Sequence, residues 1–203
     1  MFDARLRPLI DPPLNRAGQW IAATGVTANQ VTLAGMAIGL AAAVAIGVEH
    51  YAIGLALILL SRLLDGLDGA IARATAKSDF GGYLDIVCDF AFYVAVPVGF
   101  GFADPTNLMF AVVLVACFTV TGISFLAFAV LAAQRGLETR AHGEKSFFYN
   151  TGLAEGGETI GFFIVMCLWP AGFPVLASVF SGVCVLTVVQ RSLAARAVLR
   201  IPV

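Results

Sequence analysis

Four aspartates lie in a short stretch of an otherwise apolar chain, SRLLDGLDGAIARATAKSDFGGYLDIVCDF. They are Asp65, Asp68, Asp85 and Asp89, and the apolar runs YAIGLALILL and AFYVAVPVGF enclose the stretch. Ionised carboxylates in such surroundings are costly unless their charge is compensated. Divalent cations compensate it, and an oxygen-only ligand set favours magnesium, manganese or calcium. The residues therefore predict a metal site; the alternatives are a proton relay and aspartates that only bond to nearby backbone.

The composition predicts an integral membrane protein. Of 203 residues, 60% are hydrophobic and only 12% are charged, and the mean hydropathy is +0.91. A soluble domain has about 25% charged residues, and a chain of this length cannot bury so much apolar surface in its own core. We expect membrane lipids as surroundings and no nucleic-acid partner.

The apolar stretches predict a six-helix membrane bundle. Each is close to the length of about 20 residues that a spanning helix needs, and they cover roughly 31–48, 51–73, 81–101, 107–134, 151–169 and 173–195. The preceding segment mixes charges with prolines, which predicts an interfacial amphipathic helix interrupted at Pro12 and Pro13. We therefore expect one all-α domain over 1–203, with an interfacial segment at 1–30 and the bundle at 31–195.

The basic residues predict the orientation in the membrane. Eleven of the twelve Lys and Arg residues fall on one side of the predicted spans, and only Arg62 lies inside one. By the positive-inside rule, both termini are then cytoplasmic. Arg62 stands one turn before Asp65, so we expect it to pair with a carboxylate or to extend towards the membrane surface.

The spacing of the aspartates predicts that they converge. Asp65 lies twelve residues before Lys77 and Asp89 lies twelve after it, so an antiparallel hairpin turning near Lys77 places them at similar depth. Within each helix the two aspartates are three or four residues apart and share one face. Glycines and alanines beside them let either the helix backbones or a bulky ligand come close.

At these residues the chain resembles a known enzyme family. The segment DGLDGAIARATAKSDFGGYLDIVCD matches the CDP-alcohol phosphotransferase pattern DxxDGxxAR followed by GxxxDxxxD. The lead-in TGVTANQVTLAG also resembles this family. The resemblance implies transfer of a substituted phosphate from a CDP-linked donor to an alcohol, with release of CMP. It also implies a homodimer and, for a chain of this size, CDP-diacylglycerol as the donor.

The resemblance also implies roles for the motif residues. Asp65, Asp68 and Asp85 would bind Mg²⁺ or Mn²⁺, with two ions expected, and Asp89 would be the general base and a further candidate metal ligand. The residues that would contact the CDP moiety are Gly69, Arg73 and Gly81.

The acceptor is left open by the residues. Glu155 and Glu158 are candidates for orienting it, although they equally suit the start of a solvated helix. Arg140 and Lys145 could receive a phosphate or could anchor the loop at the membrane surface. Serine, inositol phosphate, choline and other polyols all remain as acceptors. The charged pair usual early in the fourth span of phosphatidylglycerophosphate synthases is absent from FAVVLVACFTVTG, which argues against glycerol phosphate.

Three other functions are compatible with intramembrane aspartates. A divalent-cation or proton transporter would need polar residues continuing to the outer face, which instead reads as almost entirely apolar. An intramembrane aspartyl protease needs two aspartates instead of four. Aromatic prenyltransferases are longer and have different aspartate spacing. The family resemblance implies a phospholipid-synthesis enzyme of the bacterial inner membrane, and the basic residues predict that its active site faces the cytoplasm.

Overall fold

The structure, a computed structural model, describes residues 3–135 and 152–199, and these residues form seven α-helices and no β-strand. The helices are α1 (Asp3–Ala23), α2 (Ala28–Gly47), α3 (Tyr51–Ala74), α4 (Asp79–Ala103), α5 (Leu108–Gln134), α6 (Gly156–Leu168) and α7 (Phe173–Leu199). Short 3₁₀ turns at Pro105–Asn107 and Pro170–Gly172 lead into α5 and α7. The predicted all-α class is confirmed for this part of the chain.

Four helices have the length and apolar composition of membrane spans: α2, α4, and α5 and α7 with their preceding 3₁₀ turns. Helix α3 is long enough, but it carries Arg62, Asp65, Asp68 and Arg73. Helix α6 has only 13 residues and begins at Gly156, five residues later than the predicted fifth span. The protein is therefore an integral membrane protein, while the six-span count and the position of the termini stay predictions.

Helix α1 is continuous through Pro12 and Pro13, so the predicted interruption is wrong. A proline removes one backbone donor and disfavours a helix interior, but contacts with α3 hold α1 in place. A Cβ added at Gly18 would lie 2.7 Å from the Cβ of Ala70, so the two helices touch there. Tertiary packing outweighs the local preference of the prolines.

Helix α2 packs against both α3 and α4 and so positions the two helices that carry the aspartates. Its first turn is fixed by a capping box in which Gln30 N–H donates to Thr27 Oγ1 at 3.4 Å and Thr27 N–H donates to Gln30 Oε1 at 3.0 Å. Further along, Ser61 on α3 donates a hydrogen bond to the backbone oxygen of Gly35 at 2.7 Å. The Ser61 hydrogen bond fixes the position of α3 along α2, one turn before Asp65.

Aromatic side chains fill the core behind the site. Phe92 on α4 packs edge-on against Phe163 on α6, with ring centroids 5.8 Å apart. Phe118 on α5 contacts Phe180 on α7 in the same manner at 5.7 Å. Such edge-to-face pairs add stability beyond the burial of their area. A further edge contact, between Phe118 and Phe163 at 6.1 Å, links the two pairs, so that α4, α5, α6 and α7 share one aromatic core.

Candidate metal centre and adjoining cavities

Asp65, Asp68 and Asp85 converge, which confirms the predicted convergence for three of the four aspartates. Each offers one carboxylate oxygen, and these three oxygens lie within 4.8 Å of one another. Asp65 and Asp68 come from adjacent turns of α3, and Asp85 comes from the second turn of α4. Asp68 is buried, Asp65 is half-buried and Asp85 is exposed, so the cluster reaches from the protein interior to its surface.

This cluster fits a divalent cation. The Oδ2 of Asp68 is buried without a hydrogen-bond partner among the described residues. A buried carboxylate oxygen left unbonded costs free energy, which a bound cation would recover. Three carboxylates supply the hard oxygen ligands that Mg²⁺ and Mn²⁺ take. The residues could therefore hold a metal ion without rearrangement of the helices.

Asp89 is not one of the three clustered carboxylates. Its Oδ1 accepts a hydrogen bond from Nη1 of Arg62 at 2.6 Å. The same nitrogen lies 3.4 Å from Oδ1 of Asp65. The expectation that Arg62 pairs with a carboxylate is confirmed, and it pairs with one on each helix.

A cavity of about 240 Å³ opens beside the cluster, on the side of Asp68 and Asp85. Its lining comes from the first turns of α2 and α4, the last turns of α3 and the connection between α3 and α4: Ala28, Asn29, Thr32, Asp68, Gly69, Ala72, Arg73, Ala76, Lys77, Ser78, Gly81, Gly82 and Asp85. The three residues expected to contact CDP are therefore brought together here. Gly69 and Gly81 keep the cavity open because they have no side chains. A Cβ added at either position would lie close to neighbouring atoms and would occupy this space.

Arg73 is held at the edge of this cavity by α1. Its Nε and Nη2 donate hydrogen bonds to Oδ1 of Asn15 at 3.1 Å and 2.9 Å. A guanidinium fixed by two hydrogen bonds presents its remaining donors in a set direction. Sequence reasoning missed Asn15, because nothing local to α1 indicates a partner on α3.

A second cavity, of about 310 Å³, is lined by Asp89 and by none of the three clustered aspartates. It is formed by α4, α5, the start of α6 and α7, and it is lined by Ile86, Asp89, Phe90, Tyr93, Phe118, Thr121, Gly122, Phe125, Ala154, Glu155, Gly156, Thr159 and Arg191. The cavity is mostly apolar, with two acidic side chains, Asp89 and Glu155, and a basic one, Arg191, in its wall. This combination suits a polar ligand that needs both a base and an anion contact.

Arg191 was expected only as part of the basic end of the chain, but it points into this cavity from α7. Its Nη1 donates to the backbone oxygen of Thr121 at 3.2 Å, and its guanidinium lies 5.6 Å from the ring of Phe125. Its Nε is buried without a hydrogen-bond partner among the described residues. The available signal was its place inside an apolar helix that continues for two more turns.

Of the described residues expected to bind the acceptor, the structure places only Glu155 in the second cavity. Glu155 lines the second cavity, where its Oε1 accepts a hydrogen bond from the backbone of Gly152 at 3.3 Å. Glu158 is half-buried in the first turn of α6 and is not part of the lining. Arg140 and Lys145 lie outside the described residues.

Comparison with protein families decides the class of this site. The model of the CDP-alcohol phosphatidyltransferase family matches residues 25–195. The chain belongs to this family. It is therefore a transferase of phospholipid biosynthesis, and the family uses divalent metal ions. The resemblance in the aspartate motif is confirmed over most of the chain.

Two curated relatives support this membership in the CDP-alcohol phosphatidyltransferase family. The chain is 44% identical over 192 residues to the inner membrane protein YnjF of Escherichia coli, covering 94% of this chain and 93% of that protein. It is 39% identical over 87 residues to archaetidylinositol phosphate synthase of Pyrococcus horikoshii, covering 42% of this chain and 46% of that protein.

The fold is also that of a solved family member. The crystal structure of Mycobacterium tuberculosis phosphatidylinositol phosphate synthase (PgsA1) with CDP-DAG bound superposes with a TM-score of 0.65 at 22% identity, covering 90% of this chain and 93% of that one. A second structure of the same protein, in complex with manganese and citrate, gives a TM-score of 0.63 at 21% identity. The match covers 90% of this chain and 88% of that one. The helical arrangement is therefore that of this phosphatidyltransferase.

Proposed function

We propose that this transferase moves the phosphatidyl group of CDP-diacylglycerol to a hydroxyl of a phosphorylated polyol and releases CMP. The observation that carries the proposal is the position of the aspartates between two cavities. Asp68 and Asp85 line one cavity, and Asp89 lines the other. A donor in the first cavity and an acceptor in the second would meet at the carboxylates.

The donor's pyrophosphate would bind at the cluster. Asp65, Asp68 and Asp85 would hold Mg²⁺ or Mn²⁺, which shields the pyrophosphate from the carboxylates and stabilises the charge that develops on the leaving CMP. Arg73 would pair with a phosphate oxygen, and the bare backbone at Gly69 and Gly81 would leave space for the nucleotide. These roles agree with the lining of the first cavity.

Asp89 would act as the general base. It takes the proton of the acceptor hydroxyl while the hydroxyl oxygen attacks the phosphorus that carries the diacylglycerol. A new phosphorus–oxygen bond forms to the acceptor, and the bond to the CMP oxygen breaks with its electron pair leaving on CMP. The position of Asp89 in the wall of the second cavity supports this role.

Arg191 supports a phosphorylated acceptor. Its guanidinium lines the cavity beside the Glu155 carboxylate, and a phosphate oxygen bound there could accept one of its hydrogen bonds. Glu155 could accept a hydrogen bond from an acceptor hydroxyl on the same wall. The archaeal relative is named archaetidylinositol phosphate synthase, and the product in that name contains a phosphorylated polyol.

The orientation and assembly are part of the proposal. A site that uses a soluble polyol phosphate should face the cytoplasm, which agrees with the distribution of basic residues in the sequence. The E. coli relative is named as an inner membrane protein, which favours the same membrane here. We expect a homodimer from family membership.

The test is a direct assay of CMP release. Purified protein in detergent is given Mg²⁺ or Mn²⁺ and CDP-diacylglycerol, together with inositol phosphate, glycerol phosphate, inositol, serine or choline. We expect CMP release with a phosphorylated polyol and not with its unphosphorylated form. Release only with serine or choline would contradict the acceptor, and release only from a CDP-linked small alcohol with diacylglycerol would contradict the donor.

A further inference from the structure

Arg62 lies between two of the four aspartates, where the proposed mechanism gives it no role. Its Nη1 is 2.6 Å from Oδ1 of Asp89 and 3.4 Å from Oδ1 of Asp65. One cationic nitrogen therefore faces a carboxylate of α3 and a carboxylate of α4 together. A metal ion shared by Asp65 and Asp89 would have to enter this same position.

The guanidinium is held there from other sides as well. Its Nη2 donates a hydrogen bond to Oγ of Ser61 at 3.2 Å, and Ser61 is fully buried and bonded to the α2 backbone. The guanidinium carbon lies 4.1 Å from the ring centroid of Phe92, which is also fully buried. The Arg62 side chain is only 11% exposed. To leave its place, Arg62 would lose an ion pair, a hydrogen bond and a cation–π contact.

Three of the four carboxylates, including Asp65, form a single group. Asp65, Asp68 and Asp85 bring three oxygens within 4.8 Å of one another, which is a set for one divalent cation. A second cation between Asp65 and Asp89 would meet the fixed positive charge of Arg62. Repulsion between cations at such short range is strong where water is scarce.

We infer that Arg62 takes the place of a second divalent cation, so that the site binds one ion instead of the two expected from the sequence. The guanidinium bridges Asp65 and Asp89 and holds Asp89 at the wall of the acceptor cavity. Arg62 is thus a positioning residue for the general base. The role of Asp89 in this inference rests on the proposed function, whereas the number of ions can be measured without any turnover.

The test counts Mn²⁺ ions on the purified, metal-free protein in detergent, with free Mn²⁺ followed by electron paramagnetic resonance. We expect one ion per chain for the wild type and for Arg62→Lys, which keeps the positive charge. Arg62→Met should bind two, because Asp65 and Asp89 are then free to share another ion. Arg196→Met removes an exposed arginine at the end of α7 and should bind one ion.

Asp89→Asn is tested both alone and in combination with Arg62→Met. In the wild type it should leave the single ion in place, with the Mn²⁺ dissociation constant changed by less than about 3-fold, since Asp89 is engaged by Arg62. In Arg62→Met it should remove the second ion. Size-exclusion chromatography would show whether Arg62→Met folds. If it does not, the ion counts of the wild type and of Asp89→Asn still test the inference.

Two results would overturn the inference. Two ions on the wild type would do so while leaving the proposed function intact. Equal counts on folded Arg62→Met and on the wild type would do so as well. A wild type that binds no Mn²⁺ would overturn both the inference and the proposed metal site, so the two failures are distinguishable.

Discussion

Gly122 on α5 packs directly against the ring of Phe90 on α4, and both residues line the cavity beside Asp89. A Cβ at position 122 would collide with the ring, so the ring keeps its place only because residue 122 is glycine. Between them, these two residues set the width of the cavity where we propose that the acceptor binds. The contact makes the acceptor cavity testable by one added methyl group.

Gly122→Ala should therefore weaken acceptor binding. The displaced Phe90 ring would take up space in the cavity, and we expect the acceptor KM to rise by about 10-fold, with the KM of the donor little changed. Steady-state rates of CMP release at varied acceptor and donor concentrations would measure both. Gly182→Ala is the matched control, since a Cβ at position 182 has no neighbour within 4 Å. An unchanged acceptor KM in Gly122→Ala would place the acceptor elsewhere.

Arg191→Met should act on the phosphate of the acceptor. Loss of a charge-assisted contact should raise the KM for a phosphorylated polyol by about 10- to 100-fold. Binding of CMP and Mn²⁺, measured by calorimetry, should be retained, because Arg191 is not in the lining of the nucleotide cavity. Arg196→Met, at an exposed position later in α7, is the control. If Arg191→Met loses CMP binding as strongly as it loses acceptor binding, the substitution has caused a general structural defect instead.

Asn15→Ala should weaken binding of the CDP-linked donor. Arg73 would lose the oxygen that fixes it, and the KM for CDP-diacylglycerol should rise by about 3- to 10-fold, with the acceptor KM little changed. Gln19→Ala removes an exposed amide one turn later on α1 and should behave as the wild type. A rise confined to the acceptor KM would contradict the assignment of Arg73 to the nucleotide.

Asp89→Asn should separate chemistry from binding. The amide cannot accept the hydroxyl proton, so kcat should fall by at least about 100-fold. Binding of the CDP-linked donor should stay measurable, because Asp89 is not in the lining of the first cavity. Calorimetry with the donor beside the CMP-release assay would show the difference. Lost donor binding with intact turnover of the bound fraction would exclude Asp89 as the base.

The metal cluster could be predicted from the sequence because its geometry is local to one hairpin. The helical period places Asp65 and Asp68 on one face, and their distances in sequence from the turn at Lys77 match those of the aspartates on α4. Three of the four carboxylates converge accordingly. The charge of Arg62 inside a span also indicated its pairing, although not with which helix.

What the sequence could not indicate depends on contacts between distant helices. Asn15 meets Arg73 across 58 residues of chain, and Arg191 meets the backbone of Thr121 across 70. Neither pairing leaves a periodic pattern in the sequence. The continuity of α1 through its prolines has the same origin, since packing of Gly18 on Ala70 outweighs local preference. The acceptor cavity is built from four helices and was invisible for the same reason.

The most direct test of the metal centre is Mn²⁺ binding to Asp68→Asn. Asp68 Oδ2 is buried without a hydrogen-bond partner among the described residues, so this carboxylate should gain most from a bound ion. Measured by electron paramagnetic resonance on the purified protein, Mn²⁺ affinity should fall by at least about 100-fold relative to the wild type. CMP release should be lost in parallel. Wild-type Mn²⁺ affinity in a folded Asp68→Asn protein would contradict the proposal that Asp65, Asp68 and Asp85 hold the catalytic ion.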